Sequence, residues 1–197
     1  MTAFFNRFWY IAVILISVVL VLLTLANYVF VQENPGGNDF LVHWVGTRAL
    51  FVDGLSPYSD TAAERIQTLA YGRPAEPGEH ELRVAYPLYS VIVFLPYALF
   101  IDYEIARALW MTTLEAALVG LAFVSLRLVR WKMGLWLLPL FLIFSILWYH
   151  SVRPIINGNA VILVALLIAG AFAALRARRD ELAGVLLAIS TIKPHLV

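Results

Sequence analysis

Long uncharged runs separated by short polar stretches make up most of the chain. The first, 8–31, holds 24 residues without a charge. A helix of about 20 apolar residues crosses the hydrocarbon core of a bilayer, so the run predicts a membrane span. It is too long for a signal-peptide core and no small-x-small cleavage site follows, which predicts an uncleaved helix. Phe8, Trp9 and Tyr10 form an aromatic belt at one boundary. Further uncharged runs follow at 84–101, interrupted by Pro87 and Pro96, and at 133–152. Between them, 108–126 is apolar except for Glu115 in its middle. The stretch 154–175 carries Asn157-Gly158-Asn159 near its start, and 182–192 begins another apolar helix. That last piece is too short to span alone. The stop at Val197 reads as a truncation.

Residues 32–83 break the pattern. Pro35-Gly36-Gly37 opens them as a loop. From Asp39 to Val52 the spacing predicts a helix lying in the membrane interface. Phe40, Trp44 and Phe51 share one face with Leu41, Val45 and Val52 beside them, and Asp39, His43, Gly46 and Thr47 make a narrower polar stripe. Asp53-Gly54 ends it and Ser56-Pro57-Tyr58 turns the chain. A second short helix is predicted over 60–71, with Ile66, Leu69 and Ala70 on one side and Thr61-x-x-Glu64 as its capping box. Residues 72–83 read as polar loop.

Composition agrees with a membrane protein. Hydrophobic residues make up 62% and charged residues 14%, against about 25% charged in soluble domains; the mean hydropathy is +0.83. The formal net charge of +1 offers no basic surface for nucleic acid. The absence of cysteine excludes disulfides, thiolate metal sites and cysteine nucleophiles. Together these predict an all-α polytopic membrane protein, a single transmembrane module over 1–197 with two short amphipathic helices in the 32–83 loop.

Charge also bears on orientation. Eight of the thirteen acidic residues but four of the fourteen basic ones fall within 32–83. Basic connections occur at Arg127, Arg130 and Lys132 and at Arg176, Arg178 and Arg179. If every run crosses once from a cytoplasmic N-terminus, both basic connections land outside, against the positive-inside rule. Reversing the N-terminus removes the conflict but puts the 32–83 loop in the cytoplasm. Letting the proline-broken run 84–101 return to its own side also removes it. The second solution keeps Arg7 and both basic connections inside and gathers the 32–83 loop, Asn157-Gly158-Asn159 and Lys193 outside. The charge distribution favours it.

Several polar residues have two readings each. Asp39 is placed to take a proton from a hydroxyl, or to cap a helix with Asn38. Arg48 suits a phosphate, or snorkels from an interfacial helix. His43 follows Asp39 by four residues, one helical face, or is simply polar. Tyr86-Pro87-Leu88 and Asn157-Gly158-Asn159 are ligand-facing breaks or ordinary helix punctuation. Lys193 neutralises a phosphate or anchors a span end. Glu115 is costly inside a span and hence a functional candidate, unless it pairs with Arg107 two turns earlier or is neutral. No P-loop, Rossmann glycine fingerprint, HExxH or zinc spacing occurs, and His43, His80, His150 and His195 are scattered.

The segment NDFLVHWVGTRALFVDGLSPYS resembles the motif after the first span of family 87 GT-C glycosyltransferases, polyprenyl-phosphate-mannose-dependent α-1,2-mannosyltransferase-like proteins. Asp39-Phe40, His43-Trp44, Arg48, Gly54 and Pro57-Tyr58 carry it. YPLYSVIVFLPYALF resembles the family's Tyr-Pro-Pro-Leu run, with Leu88 for the second proline. NGNAVILVALLIAGAFAALRARRDELAGVLLAISTIKPHLV resembles its Gly-Gln motif, apolar helix, Ala-Gly-Leu stretch and Lys-Pro ending. His43 stands where tyrosine is usual and Asn159 where glutamine is usual. The family is longer, so the chain resembles its N-terminal part.

That resemblance implies a GT-C-like helix bundle and a hexosyl transfer, of mannose, from a lipid-linked sugar phosphate on the extracytoplasmic face. Partners would be the lipid-linked donor, a glycan or glycolipid acceptor and membrane lipids. Asp39 would be the catalytic base of a single inverting displacement. Arg48 and Lys193 would hold the leaving phosphate, with Tyr86 and Asn159 binding donor and His43, Tyr58 and Gly158 in support. No metal or other cofactor is implied. A transporter or lipid-binding scaffold using Glu115 and the breaks at Pro87 and Gly158 is the other class considered, together with an inactive truncation.

Overall fold

The structure is a computed structural model describing residues 2–194, with side chains from residue 9 onward; Arg7, Phe8 and His195 lie outside the described side chains. Among the described residues every regular element is a helix. The chain forms α1 (Thr2–Glu33), α2 (Asn38–Phe51), α3 (Asp60–Tyr71), a 3-10 turn (Leu88–Ser90), α4 (Val91–Ala98), α5 (Tyr103–Leu128), α6 (Leu137–Leu147), α7 (Tyr149–Asn157), α8 (Val161–Arg176) and α9 (Asp180–Ser190). Two helices are long and apolar enough to cross a membrane, Trp9–Glu33 and Tyr103–Leu128, or three if the α6–α7 pair is one bent span. The protein is an all-α membrane protein.

At the middle stands α5, which packs against α1, α2, α4, α6, α7 and α8. Asp102 caps it, accepting from the backbone N–H groups of Glu104 and Ile105. Small residues on its faces, Ala106, Ala108, Ala117 and Ala122, are buried and let neighbours come close. By contrast α1 is apolar yet largely exposed between Trp9 and Val29, as a lipid-facing helix would be. Its contact with α5 is polar. Asn27 Nδ2 donates to Glu115 Oε2 at 2.8 Å and to Thr112 Oγ1 at 3.1 Å, and Thr24 Oγ1 meets Thr112 Oγ1 at 3.0 Å. Glu115 therefore pairs with Asn27, not with Arg107.

The two helices run antiparallel. Asn27 lies beside Glu115 and Asn34 beside Arg107. The chain between them thus begins and ends at the same end of the pair. Run 84–101 belongs to that connecting segment. Its helical part, Leu88–Ala98, is about 17 Å long at 1.5 Å per residue, against a core of roughly 30 Å. At the far end of α5, Arg176 of the second basic connection donates to the Leu128 carbonyl of the first. Both basic connections therefore sit together, away from the residues described next.

Local boundaries differ from the sequence reading in four places. Ser59, not Thr61, caps α3, its side chain accepting from Ala62 N at 3.3 Å. Gly37 occupies the N-cap of α2, so Asp39 lies inside the first turn and caps nothing. The expected polar stripe of α2 is buried apart from half-buried Asp39, because Phe94 stacks on His43, Tyr86 packs against it and Pro57 and Val84 close over Gly46, while Phe51 and Val52 are exposed. Finally, the expected spans 133–152 and 154–175 break elsewhere. A 48° bend falls at Trp148, and α7 continues through Pro154 to end at Gly158.

Asn27→Leu strips Glu115 of its donor inside the α1–α5 seam. It should lower the thermal midpoint in detergent by a loss of about 1–2 kcal/mol. Adding Glu115→Leu should recover most of this, because both polar partners are then gone. Thermal unfolding of the three proteins in one detergent checks it.

Candidate active site

The site is built outward from Phe40. This ring is fully buried and lies 5.8 Å from Trp110, 5.9 Å from Tyr103, 6.1 Å from Tyr97 and 6.4 Å from Phe94. Its aromatic neighbours come from α4 and α5, so the first turn of α2 is pinned to both. Asp39, adjacent in sequence, turns the other way and is half-buried. The turn after α7 comes up against Phe40. Gly158 adopts φ +74°, and a Cβ on it would collide with the Phe40 Cβ. That close approach brings Asn159 to Asp39.

The Asn159 amide can face only one way. Its Oδ1 accepts from Lys193 Nζ at 2.5 Å and from the Val161 backbone N–H at 3.0 Å. Both partners are donors only, so Nδ2 is left to face Asp39 and donates to Oδ2 at 2.7 Å. Among the described residues no donor engages Asp39 Oδ1. Asp39, Asn159, Lys193, Asn157 and Arg153 line an open cavity of about 320 Å3, within the range of small-molecule sites. Arg153 was not singled out in the sequence. Its signal there was modest, a lone cation six residues ahead of Asn159 at the end of an uncharged run.

Tyr86 stands beside Lys193 on one flank of the site, without lining the cavity. Its ring lies 4.0 Å from the His43 ring and 5.8 Å from Lys193 Nζ, and Tyr58 donates to its carbonyl at 2.7 Å. Burial, and then the charge of Asp39, push the Tyr86 hydroxyl up to about 12. Tyr89 donates to the Thr191 carbonyl at 2.8 Å, tying the end of α9, and so Lys193, to this flank. Burial draws the Lys193 ammonium below its ordinary value, with the charge of Asp39 opposing. His43 does not bond Asp39. Its ring stacks on Phe94 at 4.3 Å. Burial, and then Lys193, pull its pKa down to about 3, so the imidazole is neutral.

Arg48 is carried elsewhere. Nine residues beyond Asp39, it sits half a helical turn round and about 13 Å further along α2. It donates to the carbonyls of Ala98 and Phe100 at 2.8 and 3.2 Å, where α4 ends, and lies over the Trp44 ring. A cation suits a helix C-terminus. Arg48 lines a different cavity, of about 580 Å3, which shares no lining residue with the Asp39 cavity. Glu115 is likewise absent from the Asp39 cavity. Among the described residues no three acidic or histidine side chains converge as a metal site would require.

The described residues thus form a bundle of apolar helices that presents a carboxylate, an oriented amide and two cations in one cavity. The sequence profile of glycosyltransferase family 87 matches residues 85–197, and the chain belongs to that family of membrane glycosyltransferases. No curated protein and no solved structure matches the chain. Tyr86, Gly158, Asn159 and Lys193 fall within the matched residues, whereas Asp39, His43, Arg48 and Tyr58 precede them. Asp39 is joined to the matched part by its hydrogen bond to Asn159.

The depressed His43 pKa has a consequence for stability. The unfolded chain binds a proton near pH 6.5 that the folded chain refuses until about pH 3. Stability is therefore full above pH 6.5 and falls as pH drops toward 3, by up to about 1.4 kcal/mol per pH unit from this group. His43→Phe, which keeps the stacked ring, should flatten that slope between pH 6 and 4 in unfolding measurements.

Proposed function

We propose that the protein transfers a hexose, mannose foremost, from a polyprenyl-phosphate carrier to a hydroxyl acceptor on the extracytoplasmic face, with inversion at the anomeric carbon. Mannose and the polyprenyl carrier rest on the family resemblance. The assignment of roles rests on one observation: Asp39, Asn159 and Lys193, far apart in sequence, form one hydrogen-bonded chain in one cavity.

In this reading Asp39 is the general base. Asn159 holds Oδ2 as an acceptor and leaves Oδ1 for the acceptor hydroxyl. The hydroxyl oxygen bonds to the anomeric carbon as its proton passes to Oδ1. The bond from that carbon to the phosphate oxygen breaks on the opposite face, and the lipid phosphate leaves. Lys193 and Arg153 supply positive charge where the departing monophosphate gains negative charge. Two cations serve a monophosphate, so the mechanism calls for no metal ion. Tyr86 stays protonated and offers a donor to the sugar. The outward location is supported by the charge distribution. The cavity lies at the N-terminal end of α5 and the basic connections at its other end.

Membranes carrying the protein, supplied with a panel of labelled polyprenyl-phosphate sugars, test the reading. Asp39→Asn should lower transfer by at least about a hundredfold at unchanged expression, as expected for loss of a general base. Lys193→Met should cost about ten- to a hundredfold through the leaving group. Full turnover of Asp39→Asn would overturn the assignment.

A further inference from the structure

We propose that Arg107 and Trp110 are positioning residues, which hold the Asp39–Asn159 contact in register from behind without touching substrate. The inference rests on the functional reading above and adds the device that keeps its two central groups together.

Asp39 and Asn159 belong to segments with little local reason to meet. One follows the loop after α1, the other the turn after α7. A single side chain on α5 grips the backbone ahead of both. Arg107 Nη1 donates to the Asn34 carbonyl at 2.8 Å, and Nη2 donates to the Ile156 carbonyl at 2.9 Å. One turn along, Trp110 Nε1 donates to the Gly158 carbonyl at 2.8 Å. The Ile156 and Gly158 carbonyls belong to the C-terminal turn of α7, whose last carbonyls have no helical partner and favour a cation or donor. Arg107 is buried, 1% exposed, and its Nε packs on Gly37, where a Cβ would run into the arginine side chain. Gly37 has φ +76° and is the N-cap of α2. The guanidinium is thus wedged under the start of the helix bearing Asp39 while its other arm holds the turn bearing Asn159. The Trp110 ring stacks on Phe40, the residue beside Asp39, at 12° between planes.

A planar fork can bridge two carbonyls in fixed geometry, and an ammonium cannot. Arg107→Lys keeps the charge and removes the bridge. Trp110→Phe keeps an aromatic ring against Phe40 and removes only the donor. Both variants therefore separate positioning from packing.

The chain has no native cysteine, so an Asp39→Cys, Asn159→Cys pair reports the contact without any activity assay. A short bifunctional thiol reagent applied to full-length protein in membranes should join the pair efficiently. Adding Arg107→Lys or Trp110→Phe should cut the yield several-fold. In the otherwise native chain each should lower kcat about three- to thirtyfold, the scale of one lost hydrogen bond, with donor KM changed less than about twofold and with the thermal midpoint retained. In an Asn159→Ala background, where the contact is already gone, the same substitutions should cost little more, because the groups act as one unit. Undiminished crosslinking, or kcat losses that multiply in that background, would overturn the proposal. Full transfer by Asp39→Asn would instead overturn the functional reading, whatever the crosslinking shows.

Discussion

Burying one phenylalanine at the start of α2 constrains everything around it. Phe40 sits in a cage of Trp110, Tyr103, Tyr97 and Phe94, and each ring comes from a helix that is itself held in the bundle. Aromatic contacts of this kind are large in area and specific in angle. They fix the rotation of α2 about its axis, and that rotation decides where Asp39 points. The same ring forbids a side chain at Gly158, so the backbone after α7 comes within hydrogen-bonding reach of the carboxylate. A residue with no polar side chain thereby sets the distance between Asp39 and Asn159.

The long helix α5 gives this arrangement its place in the membrane. Its first turns gather the carbonyls of Asn34, Ile156 and Gly158. Its last turn meets the basic connections. Between the ends, the polar seam with α1 joins Thr24, Asn27, Thr112 and Glu115 inside an otherwise apolar pair. Glu115, which a transporter would use in a pathway, is occupied as interhelical glue. The Glu115 carboxylate bonds between α1 and α5, and the Asp39 carboxylate faces the cavity.

Electrostatics divide the polar residues in the same manner. Lys193 and Arg153 share the Asp39 cavity, and His43 beside it is kept neutral by burial. The buried imidazole serves as a packing surface for Tyr86 and Phe94. Arg48 follows the opposite course. Its guanidinium is used on the carbonyls that end α4, so membership of a motif did not place it with the cations of the Asp39 cavity.

Periodicity and composition along the chain determined the all-helical membrane class, the extent of α3 and the approximate extent of α2, since these depend on neighbours within a few turns or on overall hydropathy. Asp39, Asn159 and Lys193 were legible as polar interruptions at helix ends, because an uncompensated polar group beside an apolar run is conspicuous. Only tertiary structure decided which interruptions meet. The burial of His43 and Thr47, the diversion of Arg48, the arrival of Arg153 and the bridging by Arg107 all come from contacts between segments 49 to 120 residues apart or from helix rotation, and one-dimensional spacing carries neither. The break at Trp148 was hidden for a related reason, whereas Asn157-Gly158-Asn159 marked the second break in the sequence and only the structure set it against Phe40 and the α5 donors. Apolar composition continues through Trp148, and no local pattern records the bend there.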